Sequence, residues 1–84
     1  MRSLITVNVK LFATLRECYP GARTGVPIQV RLEDGATVGM LVQHLGIPKE
    51  AVRVVFVNGV VVNDASPLRD GDDVGFFPAI AGGA

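Results

Sequence analysis

The sequence has few of the residues that metal sites and disulfides require. Its 84 residues include one cysteine, Cys18, one histidine, His44, and no tryptophan. A single cysteine excludes an internal disulfide and any multi-cysteine metal or iron–sulfur site, which removes the ferredoxins from the candidate small β-rich proteins. We expect His44 to be a solvated helix residue, and we assign no role to Cys18, which falls in a predicted loop.

The sequence also has no excess of charge and no long hydrophobic run. Eight basic and eight acidic residues give a formal net charge of zero, without a basic stripe, so we expect no nucleic-acid partner. No apolar run approaches the ~20 residues that span a bilayer, so we expect no membrane association. The N-terminus lacks the apolar region of a signal peptide, and we expect a cytoplasmic protein.

The composition favours one small folded domain. Hydrophobic residues make up 49% of the chain and charged residues 19%, well outside the disordered range. A chain of this length has room for a single core. We predict one domain over residues 1–78. Residues 79–84 (AIAGGA) have no periodicity, cap or charge, and we predict a flexible tail there.

The first third of the chain predicts two paired strands. Residues 4–13 alternate between apolar and polar side chains, as in a half-buried strand. Phe12 breaks this pattern, because the alternation puts it on the polar face. Residues 16–27 contain two prolines and two glycines and predict a loop. Residues 28–32 alternate again, and we expect them to pair with the first strand as a hairpin.

The middle of the chain predicts one short helix. Thr37 is suited to the N-cap position, and Gly46 to a left-handed C-terminal residue. Between them, the apolar residues recur at helical spacing and form one stripe. These residues are Val38, Leu41, Val42 and Leu45.

The second half predicts three more β segments. Asn58 and Gly59 lie between the apolar runs 52–57 and 60–62, and Asn-Gly is the preferred pair for a two-residue type I′ hairpin turn. Residues 74–77 form a last strand, which Pro78 ends.

The order of elements predicts an α+β protein. One apolar helix stripe can be buried by one mixed sheet, and the helix supplies the crossover between the two hairpins. We therefore predict a β-grasp (ubiquitin-like) fold, with a mixed sheet of four to five strands over one main helix. Asp70, Asp72 and Asp73 offer too few convergent ligands for a metal site, and we expect a turn with solvated carboxylates.

Three segments resemble a known family. The segments 11–17 (LFATLRE) and 67–83 (PLRDGDDVGFFPAIAGG), with the Asn-Gly hairpin, resemble the molybdopterin synthase small subunit (MoaD) and ThiS, the ubiquitin-like sulfur carriers. The Phe-Phe-Pro sequence favours the molybdopterin branch over the thiamin branch.

The resemblance implies a carrier rather than an enzyme. In this family an E1-like adenylating enzyme uses ATP to convert the C-terminal glycine carboxylate into an acyl-adenylate, and a sulfur donor then yields a thiocarboxylate. The large subunit of molybdopterin synthase takes up the tail, and sulfur passes to the pterin precursor. The acyl group here would belong to Gly83, preceded by Gly82. The chain would bind no cofactor and supply no catalytic side chain.

The resemblance also implies a docking surface. Positions matching the family's contacts with the large subunit are Phe12, Val61, Phe77, Pro78, Ala79, Ile80 and Ala81. The alternation independently puts Phe12 and Phe77 on outward strand faces, and such an apolar surface usually marks an interface. The alternative is that both rings pack against residues 18–27. Arg16 and Glu17 are either contacts with the partner or plain surface charges.

The C-terminus departs from the family pattern. Active members end in Gly-Gly, whereas Ala84 moves the carboxylate by about 3.3–3.6 Å. We expect this displacement to block activation. A peptidase could remove Ala84, the chain could have lost sulfur transfer, or its activating enzyme could accept alanine; we favour the first. Alternative functions are a carrier for thiamin or sulfur amino acid synthesis, a ubiquitin-like modifier, and a β-grasp interaction module with an inert tail.

Overall fold

A computed structural model describes residues 3–19 and 26–78. Five strands and one α-helix occur in this part of the chain. In chain order they are β1 (Leu4–Leu11), β2 (Ile28–Glu33), α1 (Val38–Leu45), β3 (Val52–Val57), β4 (Val60–Val62) and β5 (Asp73–Pro78). Two 3-10 helices, Ala13–Cys18 and Lys49–Ala51, lie between them.

The five strands form one mixed sheet in the order β2-β1-β5-β3-β4. The two hairpins, β1–β2 and β3–β4, are antiparallel. The last strand, β5, lies between them, parallel to β1 and antiparallel to β3. This is the predicted β-grasp fold, and it makes the last strand the central one.

The core lies between the sheet and α1. The inward residues of β1 and β5 are buried together with the predicted helix stripe. Phe76, at the centre of β5, has no exposed surface. The predicted helix ends are confirmed: the Thr37 hydroxyl accepts a hydrogen bond from the Met40 amide at 3.4 Å, and Gly46 has a left-handed φ of 74°.

The end of the first strand differs from the prediction. β1 stops at Leu11, and Ala13, with a φ of 53°, turns the chain into a 3-10 helix where we predicted strand and then loop. This helix inserts Leu15 into the core, with 1% of its surface exposed. Strand alternation could not predict this turn, because the burial of Leu15 depends on core residues far away in the sequence. Cys18 ends the helix and packs half-buried against the core, rather than lying in a loop.

The predicted turn before β5 is confirmed, and two of its carboxylates also accept hydrogen bonds within the protein. The Asp70 carboxylate accepts a hydrogen bond from the Thr6 amide at 2.7 Å. The Asp72 carboxylate accepts bonds from the Arg69 amide at 2.8 Å and from the Asn58 side chain at 2.9 Å. A short side chain in a tight turn readily reaches such backbone amides.

Within residues 3–19 and 26–78, no group of three or more His, Cys, Asp or Glu side chains could hold a metal ion. No helix in this part of the chain is long and apolar enough to cross a bilayer.

Candidate functional site

The face of the sheet turned away from α1 carries a cluster of apolar side chains. The strand register assigns these residues to one face, because directly paired residues share a side. Phe56 pairs with both Gly75 and Val61, and Val54 pairs with Phe77. We call this cluster the aromatic face. It consists of Phe12, Val54, Phe56, Val61 and Phe77.

Three aromatic rings form its centre. The rings of Phe12 and Phe77 are stacked, with centroids 4.3 Å apart and planes 3° from parallel. Phe56 meets Phe77 edge to face, with centroids 5.3 Å apart. Both arrangements are favourable beyond the apolar area that they bury. The three rings therefore form one packed unit across β5, β3 and the residue that follows β1.

Two small residues allow Phe12 to take this position. The amide of Phe12 donates to the Phe76 carbonyl at 3.1 Å, so the chain still follows β5 at this point. The ring then lies over Gly75, where an added Cβ would be 3.2 Å from the Phe12 Cε2. The next residue, Ala13, turns the chain away through its positive φ. A side chain at position 75 would push the Phe12 ring outward.

The aromatic face is accessible and has charged residues at its edge. Phe12 is 37% exposed and Val61 is 62% exposed. A hollow of about 700 Å³ lies over the rings, and Lys10 and Asp73 line it beside Phe12 and Gly75. An apolar centre with a polar edge is typical of a protein interface. The exposed apolar surface, with Lys10 and Asp73 at its edge, is therefore suited to docking.

The aromatic face lies beside the start of the predicted tail. Pro78 is the last residue of β5 and pairs with Val52, directly after Phe77. The last described residue before the predicted tail thus directly follows a residue of the aromatic face. The tail residues Ala79, Ile80, Ala81, Gly82, Gly83 and Ala84 lie outside the described residues, and their roles stay predictions.

The described site residues from the sequence come together. Phe12 and Phe77 are in contact, and Val61 shares their face. The two rings stack on each other, and Pro27 lines the hollow with them. The alternative, in which both rings pack against residues 18–27, stays a prediction, because residues 20–25 lie outside the described residues. His44 is exposed on α1, on the other side of the sheet.

Sequence reasoning missed Val54, Phe56 and Gly75. The segment 52–57 (VRVVFV) is almost entirely apolar, so alternation cannot divide it between two faces. Only the pairing of β3 with β5 shows which of its side chains join the aromatic face.

Comparisons with known proteins give one family. The ThiS family model matches residues 9–83. No curated protein matches the chain. Among solved structures, a putative molybdopterin converting factor, subunit 1, from Pyrococcus furiosus is 30% identical, with a TM-score of 0.68, covering 90% of this chain and 99% of its own.

Two other solved structures are similar. SAMP1 from Haloferax volcanii, a small archaeal modifier protein, is 25% identical, with a TM-score of 0.69, over 92% of this chain and 98% of its own. The thiamine biosynthesis protein ThiS from Geobacter metallireducens is 26% identical, with a TM-score of 0.56, over 89% of this chain and 97% of its own.

Proposed function

This chain belongs to the ThiS family of ubiquitin-fold sulfur carriers, and from this membership we propose that it carries sulfur for molybdopterin synthesis as a C-terminal thiocarboxylate, after removal of Ala84. The observation that carries the proposal is the aromatic face beside the end of β5. It offers a docking surface at the point where the tail leaves the domain. The similarity to the Pyrococcus furiosus converting factor and the Phe77-Pro78 sequence support the molybdopterin branch.

In the proposed cycle, the tail is the only part of this chain that reacts. The Gly83 carboxylate attacks the α-phosphorus of ATP on an E1-like adenylating enzyme, forming the acyl-adenylate and releasing pyrophosphate. Sulfide delivered by a sulfur donor attacks the acyl carbon and expels AMP, which leaves a thiocarboxylate. On the large synthase subunit the sulfur passes to the pterin precursor, and an oxygen from water restores the carboxylate. ATP is bound by the activating enzyme and not by this chain.

The aromatic face has an energetic role in this cycle. Ordering a peptide in a partner's channel costs about 1–2 kcal/mol per residue, so a tail of this length needs contacts elsewhere to offset several kcal/mol. Glycines at positions 82 and 83 keep the tail narrow and leave the acyl carbon unhindered. Docking through the aromatic face supplies the binding free energy, and the tail supplies the reactive group.

The test compares the full chain with a chain that ends at Gly83. Each is incubated with the adenylating enzyme, ATP and a sulfur donor, and the intact mass is measured. We expect an increase of about 16 Da, for exchange of oxygen by sulfur, only in the chain ending at Gly83. Equal conversion of both forms would refute the need for processing, and conversion of neither would refute sulfur transfer.

A ubiquitin-like modifier is the second candidate, and the similarity to SAMP1 favours it. A modifier would form isopeptide bonds between its C-terminus and lysines of other proteins. Mass spectrometry of the C-terminus from cells distinguishes the two functions: a thiocarboxylate supports the carrier, and lysine adducts support the modifier. Copurification with a synthase large subunit would then favour the molybdopterin pathway over thiamin or sulfur amino acid synthesis.

A further inference from the structure

A register shift brings one arginine to the start of the tail. Val52 pairs with Pro78 and Val54 pairs with Phe77, so Arg53 is an extra residue on β3 without a partner on β5. Bulges of this kind often occur beside functional sites, where they redirect a side chain. Arg53 is exposed, and it faces the last two residues before the tail.

Among the described residues, no carboxylate pairs with Arg53. It lines a hollow of about 660 Å³ with Ala13, Val54, Phe56, Phe77 and Pro78, none of which is charged. Asp64 lies near another side of Arg53, but its carboxylate contacts the Lys49 ammonium at 3.5 Å. Within residues 3–19 and 26–78, no hydrogen bond or ion pair engages the Arg53 guanidinium.

A partner that takes up the tail must cover this hollow. The aromatic face and Pro78 border the hollow directly, so contact with either also removes water from Arg53. A guanidinium that loses its water without a partner is strongly unfavourable, whereas a bidentate pair with a carboxylate restores its hydrogen bonds. The surface that covers Arg53 therefore needs acceptors opposite it, and a carboxylate is the strongest of these for a guanidinium.

We propose that Arg53 is a recognition residue, which pairs with a carboxylate at the entrance of the channel through which the adenylating enzyme receives the tail. This inference rests on the proposed function. Adenylation is the first step for sulfur carriers and modifiers alike, so it does not depend on the pathway. Residues 79–83 span about 17 Å when extended, so Arg53 acts on binding and not on the reacting carboxylate.

The experiment measures ATP–pyrophosphate exchange by the adenylating enzyme at increasing concentrations of the chain ending at Gly83. Arg53→Glu is compared with Arg31→Glu as a control. Arg31 is exposed on β2, and β1 separates β2 from β5, so this variant makes the same change of charge away from the end of β5. We expect Arg53→Glu to raise the half-saturating concentration at least tenfold with an unchanged maximal rate, and Arg31→Glu to change it less than twofold. Arg53→Lys should give an intermediate value, because lysine keeps the charge but loses the bidentate geometry.

Each result decides the matter. Equal values for Arg53→Glu and Arg31→Glu, with an active parent chain, would overturn the role of Arg53 and leave the proposed function standing. A lower maximal rate with unchanged half-saturation would also overturn it. No exchange with the parent chain would overturn the proposed function itself, and this inference with it. If thermal unfolding shows that Arg53→Glu is destabilised, Arg53→Gln takes its place with the same expected direction.

Discussion

Replacement of Asn58 should show how much the hairpin turn contributes to stability. Asn58 and Gly59 have φ values of 52° and 82°, as the predicted type I′ turn requires. The Asn58 side chain also donates to the Asp72 carboxylate at 2.9 Å and accepts from the Asp73 amide at 2.9 Å. The turn of one hairpin thus holds the start of β5.

Two substitutions separate these contributions. Asn58→Gly keeps the positive φ but removes both side-chain hydrogen bonds, each worth about 1 kcal/mol net, so we expect a loss of about 2 kcal/mol in the free energy of unfolding. Asn58→Ala removes the same bonds and adds a left-handed alanine, for roughly 1 kcal/mol more. A domain of this length has a total stability of only about 4–12 kcal/mol, so both losses are measurable.

Urea unfolding followed by circular dichroism measures these losses. Asp72→Asn, made alone and together with Asn58→Gly, completes a double-mutant cycle. The cycle is needed because Asp72 also accepts from the Arg69 amide, and that contribution must be separated from the contact with Asn58. We expect the two substitutions to be less than additive by about 1 kcal/mol. If Asn58→Gly proves as stable as the parent chain, the side-chain bonds contribute nothing and the reasoning fails.

Two further substitutions test the aromatic face and its supports. Ala13→Gly should raise the free energy of unfolding, measured by urea unfolding, by about 0.5 kcal/mol. The substitution removes the strain of an alanine with positive φ, and the greater entropy of glycine in the unfolded chain offsets part of this gain. A loss of stability would contradict this prediction. Val61→Asp and Val60→Asp alter neighbours on β4 that are 62% and 63% exposed, but only Val61 pairs with Phe56 on the aromatic face. We expect Val61→Asp to weaken binding to the synthase large subunit at least tenfold by calorimetry and Val60→Asp to change it less than threefold; equal effects would refute docking through the aromatic face.

The sequence predicted the elements whose signals are local. Alternation marked the two strands of the first hairpin, Asn58-Gly59 marked the second, and Thr37 and Gly46 marked the ends of the helix. These signals work because side-chain period, turn geometry and capping each depend on residues a few positions apart. The resemblance of the C-terminal segment to sulfur carriers was likewise visible in the sequence, and the match to the ThiS family over residues 9–83 confirms the family.

What the tertiary structure decided depends on residues far apart in the chain. The stack of Phe12 on Phe77 requires β5 to lie beside β1, and the place of Phe56 follows only from its pairing with Gly75. The turn at Ala13 leads to Leu15, whose burial depends on core residues from the other strands and the helix. Arg53 lies beside the end of β5 because of a register shift between β3 and β5. Such a shift is a property of the pair of strands, so the sequence of one strand alone does not predict it.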